Sequence, residues 1–294
     1  MKAAVQALIG LGIAALLLYW VFRDKDPQVL RAALAQASWA GLTFAAALNF
    51  AHNHARVLRW RALLTPVRAD VPYRPLFTAV VLGYLTTWLV PGRLGELVRA
   101  ALLSAREGIP LGPSLGSVVA DRFLDGIAIV VLFLAGSLTA TFAAGAGALA
   151  AQIRATAMVL ALVMTVGLVV LVALAAYASR VDPWLARAWA PFRWIGRAAL
   201  GLARGAEALR APRLWLPILG LSLAAWLTIA LGTWIGIRSA GVSIGFSATL
   251  VLLPLLAIGV AIPTPAGAGG YHAAMQLGLT GLFGVDGNLA AGAG

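Results

Sequence analysis

Two apolar stretches of this chain stop short of a bilayer's thickness, and each stops at a proline–glycine break. Residues 76–90 are apolar but too few to span, since a crossing helix needs roughly 20 residues. They end at Pro91-Gly92, where proline lacks a backbone donor and glycine leaves the chain free to turn. Arg93, Glu96 and Arg99 follow at i, i+3 and i+6, so they share one helical face. Residues 248–262 repeat the pattern, breaking at 263–270 (PTPAGAGG) before a second apolar limb to 285. Other apolar stretches are long enough to cross, at about 3–22, 39–64, 114–142, 156–178 and 214–237. The final GNLAAGAG reads as the start of a last span cut short, and residues 3–22 as a retained anchor.

A chain with 62% hydrophobic and 11% charged residues is a polytopic membrane protein and not a soluble domain. Its net charge of +12 does not indicate nucleic acid. The basic residues, nearly all arginine, are scattered through the connections between apolar stretches, as the positive-inside rule requires. With no cysteine, disulfides, thiol catalysis and cysteine-ligated metals are excluded.

Charge placement also chooses a topology. A single crossing by residues 76–101 would leave the seven arginines of 180–213 outside. If 76–103 instead enters and returns as a re-entrant hairpin, 14 Lys/Arg lie inside and five outside, with Arg93, Arg99 and Arg122 within the bilayer. By the same reasoning 248–285 is a second hairpin entering from the opposite face. That arrangement points to a transport site between inverted repeats. Residues 180–213 interleave arginines with Trp184, Trp189, Phe192 and Trp194, and read as an amphipathic interfacial segment that Pro191 kinks or divides. The expected fold is an all-α polytopic bundle with two oppositely oriented re-entrant hairpins, forming a single transmembrane domain.

Chemistry concentrates at the breaks. Each second limb presents unpaired N–H groups at mid-membrane, and a helix N-terminus beside an arginine suits a phosphate. The candidates for lipid phosphate are Gly92, Arg93, Gly95 and Arg99 in the first hairpin and Gly269 and Gly270 in the second. Close packing of buried helix ends would explain the glycines as well. Asp121 and Asp125 share one face of the third span, with Arg122 between them. With Glu96 and His272 they are candidates for a cationic headgroup or a coupling proton; a structural ion-pair cluster is the alternative. Arg56, Arg59 and Arg61 read as a collar ending the second span, with Trp60 at the interface. His52 and His54 point to different faces, which excludes a helical metal pair, and His52, Asn53 and His54 read as buried polar residues facing the bundle. No catalytic set, metal site or cofactor motif emerges.

Three segments, ARVLRWRALL at 55–64, GYLTTWLVPGRLGELVRAALLSAREGIPLGPSLGSVVADRFLDG at 83–126 and IPTPAGAGGYHAAMQLGLTGLFGV at 262–285, carry a resemblance. Together they resemble the lysylphosphatidylglycerol synthase transmembrane region, a flippase-like family, with its PGRxGE…R…DR/ERxxDG pattern. The resemblance implies a multi-pass protein of the bacterial inner membrane with a lipid-related function. It marks Arg93, Glu96, Arg122 and Asp125 as the matching positions. Many members have Glu where this chain has His272, and Gly where it has Ala266. The aminoacyltransferase domain of the fused synthases is not in this sequence, so lipid aminoacylation does not carry over. The expected function is binding and translocation of a phosphate-bearing lipid, an anionic phospholipid or a polyprenyl-phosphate glycolipid. An accessory subunit or enzyme of lipid biosynthesis is the alternative, and a small-ion transporter a third reading. The expected partners are membrane lipids, with a lipid-modifying enzyme or a second copy of the chain as further candidates.

Overall fold

A computed structural model of the 294-residue chain describes every residue except 1, 24, 26, 27, 29–34, 36, 37, 90–93, 188, 263, 265, 266 and 268. Among the described residues the chain is all-helical, with eleven α-helices, one 3-10 turn and no strand. They are α1 (Lys2–Phe22), α2 (Trp39–Leu64), α3 (Tyr73–Leu89), α4 (Gly95–Glu107), α5 (Leu111–Thr139) and α6 (Gly147–Arg187). After these come α7 (Ala190–Arg204), the 3-10 turn (Glu207–Arg210), α8 (Pro212–Ser239), α9 (Phe246–Ala261), α10 (Gly270–Phe283) and α11 (Gly287–Ala293).

Local chemistry sets several boundaries. Ser38 caps α2 by accepting from the Gly41 amide, and Gly108, at φ +66°, ends α4 in the left-handed conformation that an L side chain resists. The 180–213 segment is divided as expected, α6 ending at Arg187 and α7 beginning at Ala190 with Pro191 in its first turn. At that position proline costs nothing, because no amide donor is needed there. Pro183 lies inside α6, near its end, and Pro217 and Pro254 lie inside α8 and α9.

Two described segments are long and apolar enough to cross a membrane, Gly147–Ala178 and Pro212–Ser239. Only 11% of the most apolar window of the first is buried against protein, so its Met158, Leu162, Val166 and Val170 form an outward apolar face. Two further helices carry internal charges, Arg56 and Arg59 toward the end of α2 and Asp121 and Asp125 near the middle of α5. The closest packing joins α2 to α8 and α5 to α9, so α2, α5 and α8 enclose the core.

The two broken stretches form helix pairs with the same close approach. A Cβ on Gly95 would fall on the carbonyl oxygen of Gly83, and one on Gly83 would lie 2.9 Å from the Gly95 oxygen. Gly259 and Gly270 stand in the same reciprocal relation between α9 and α10. Each pair of limbs therefore touches backbone to backbone beside its break.

The arginine collar needs correction. Arg61 is exposed, but Arg56 and Arg59 are buried, as is Trp60, whose indole donates to Ser117 Oγ at 2.9 Å. Trp60 is thus a core residue and not an interfacial one. Without Arg56 and Arg59 the expected topology would still put 12 basic residues inside against five outside.

Candidate functional site: a buried arginine–carboxylate cluster

Asp121 and Asp125 are one turn apart on α5, and both are buried. Two carboxylates so placed in low dielectric require cations, and three helices supply them. From α2, Arg59 donates through Nε to Asp121 at 2.8 Å, through Nη2 to Asp125 at 2.7 Å and through Nη1 to Ser222 of α8 at 3.1 Å. Arg56, one turn back, reaches Asp121 at 3.4 Å. Arg99 of α4 donates to Asp121 at 2.7 Å. Arg122, beside the acids on α5, donates to Asp121 and pairs with Asp125, each at 2.9 Å. Trp226 of α8 donates its indole proton to Asp125 at 3.0 Å.

Glu96 extends the group toward the outside. Its Oε2 lies 2.7 Å from Arg99 Nε, though out of line for a hydrogen bond, and its Oε1 lies 3.5 Å from Arg122. Aromatic faces hold the cations in place. Arg56 stands 5.0 Å from the centre of the Tyr84 ring, and Arg99 4.9 Å from that of Trp60. Among the described residues four guanidiniums meet three carboxylates, an excess of one positive charge. Arg59 is fully buried, whereas the Arg122 and Glu96 side chains are 39% and 36% exposed, so the cluster opens at those two.

The structure therefore brings Glu96, Arg99, Asp121, Arg122 and Asp125 together. Gly92 and Arg93 lie outside the described residues, and Gly95 is the first residue of α4. Gly95 and Gly270 are accounted for by their close approaches. Gly269, at φ +81°, caps α10 and lies against α1, where an added Cβ would come within 2.9 Å of the Ala14 oxygen. His272 is remote from the acids, edge-on to Phe22 at 6.5 Å, and its Nδ1 is buried without a partner.

Sequence reasoning missed Arg56, Arg59, Ser222 and Trp226. Arg56 and Arg59 were detectable, because they continue the face of α2 that carries His52 and Leu63 at helical spacing, while Arg61 does not. His52 is buried, donating from Nδ1 to the Ala225 oxygen at 2.8 Å, but His54 is exposed against Tyr73 and Phe77 and does not face the bundle. Asn53 is half-buried.

Chemically, the cluster can hold an anion but offers little to a cation. Every carboxylate oxygen of Asp121, Asp125 and Glu96 already faces an arginine, so a cationic headgroup would have to displace one. No curated protein matches the chain, and no solved structure does. One family model matches residues 7–294, and it describes a membrane region associated with lipid-related function. The chain belongs to the family of the lysylphosphatidylglycerol synthase TM region.

Proposed function

We propose that this protein binds a phosphate-bearing lipid at the arginine–carboxylate cluster and translocates it across the bacterial inner membrane. The observation that carries the reading is the unbalanced charge of a buried cluster whose open side is Arg122. A guanidinium excess at membrane depth is costly unless an anion joins it, and a lipid phosphate is the anion a bilayer supplies. Arg122 and the unresolved pairing needs of the Arg56 and Arg122 Nε donors, both buried without partners, offer contacts for phosphate oxygens. The start of α4 has no side-chain cap, and Arg93, two residues before it in the sequence, is the candidate for a second fork.

Two re-entrant hairpins, α3–α4 and α9–α10, complete the reading. They approach the midplane from opposite faces, and their matching glycine contacts support a common construction. Translocation then amounts to opening the cluster alternately to either leaflet.

The test is lipid retention and transport by the chain alone. Purified protein should co-purify with anionic phospholipid, measured by mass spectrometry, and move a labelled lipid in liposomes without a partner. Arg122→Gln should reduce retention about tenfold, the loss expected for one charge-assisted contact. Unchanged retention in Arg122→Gln would refute the phosphate site. Retention without transport in liposomes would favour an accessory role.

A further inference from the structure

We propose that a groove between α2 and α8 receives an uncharged, hydroxyl-bearing lipid headgroup, a sugar or polyol. This rests on the phosphate reading above and names the substrate class. The groove has a volume of about 300 Å³ and is lined by Ala45 and Asn49 of α2, Thr228, Gly232 and Thr233 of α8, and Tyr271 of α10. Its small residues make the space, and its polar ones define the occupant.

Asn49 is exposed ten residues into α2, near the middle of a membrane-spanning helix. Its carbonyl and side-chain oxygens accept from Asn53 Nδ2 at 2.9 and 3.0 Å, and its own amide donors have no protein partner among the described residues. Asn53 Oδ1 is buried without a partner as well. Across the groove Thr228 donates to the Ala225 oxygen at 2.7 Å, which leaves its own oxygen free to accept. Unmet amide donors at this depth are costly in hydrocarbon, so the groove calls for a polar occupant.

Hydroxyls both donate and accept, and so match a donor wall facing an acceptor wall. No Asp, Glu, Lys or Arg lines the groove, and the carboxylates of the cluster are held by arginines. An ammonium headgroup therefore finds no counter-ion in either place. Asn49 and Arg56 are two turns apart on α2, roughly 10 Å along the axis. Between them His52 bonds Ala225 and meets the edge of Trp226, which in turn bonds Asp125. His52 and Trp226 thus link the cluster to the groove, within reach of a saccharide-sized headgroup whose phosphate stays with the arginines.

Native mass spectrometry of the full chain with equimolar phosphatidylinositol, phosphatidic acid and phosphatidylethanolamine tests this. Phosphatidylinositol should be retained about 5-fold over phosphatidic acid, from the added hydrogen bonds, and phosphatidylethanolamine least. Asn49→Leu combined with Thr228→Val should bring phosphatidylinositol to the level of phosphatidic acid. Gly232→Leu, which fills the groove without removing a polar group, should do the same. Equal retention of the two anionic lipids by the wild type, or a preference that survives both variants, would mean the groove holds water only and would overturn the inference, leaving the phosphate site standing. If neither anionic lipid is retained over phosphatidylethanolamine, the phosphate reading fails and this inference with it.

Discussion

Replacing Asp121 with asparagine keeps the shape of the side chain and removes the charge on which four arginines converge. Asp121 is fully buried and accepts from Arg56, Arg59, Arg99 and Arg122 at 3.4, 2.8, 2.7 and 2.9 Å. In Asp121→Asn one carboxylate oxygen becomes an NH2 donor pointing at guanidiniums, and the excess over the described cluster rises from one positive charge to two. Breaking a buried ion pair by removing one partner costs about 3–5 kcal/mol. Asp125 still holds Arg59 and Arg122, which argues for the lower half of that range. For a chain of this size the loss lowers Tm by roughly 10 °C. Thermal unfolding in detergent, followed by tryptophan fluorescence, measures it. Arg122→Gln is the control, because it removes the excess charge from a side chain that is 39% exposed and should shift Tm by only a few degrees. A phosphate-bearing lipid should recover more stability in Asp121→Asn than in the wild type, since it replaces the missing anion. A shift under about 2 °C for Asp121→Asn would refute the argument that charge balance in the cluster holds α2, α4 and α5 together.

Trp60→Phe removes the indole bond to Ser117 and weakens the ring beneath Arg99, and should cost about 1–2 kcal/mol in the same unfolding assay. Gly95→Ala and Gly270→Ala each drive a methyl into the facing backbone carbonyl, and should each destabilise by about 1–3 kcal/mol; a neutral effect would mean the limbs are not in close contact. The hairpin topology predicts that Ala198→Cys is labelled only from the cytoplasmic side and Ser243→Cys only from outside, both positions being exposed. Labelling of both from one side would refute it.

The all-helical class was legible from the apolar stretches alone, because a chain this hydrophobic must satisfy its backbone inside helices when it enters a bilayer. The pairing of Asp121 with Asp125 was legible too, since i, i+4 spacing on a helix needs no tertiary information. Their need for cations followed from the same spacing. Which cations answered did not follow. Arg56 and Arg59 stand more than 60 residues before the acids they neutralise, at the end of a helix where arginine ordinarily faces headgroups. Only the packing of α2 against α5 and α8 turned one face of that end inward, burying Arg59 while Arg61 stayed outside. The glycines at the two breaks divide in the same way. Sequence marked them as sites of backbone freedom, and tertiary structure decided that Gly83 with Gly95, and Gly259 with Gly270, use it for contact between limbs. Local spacing determines which groups share a face; the approach of distant helices determines what that face meets.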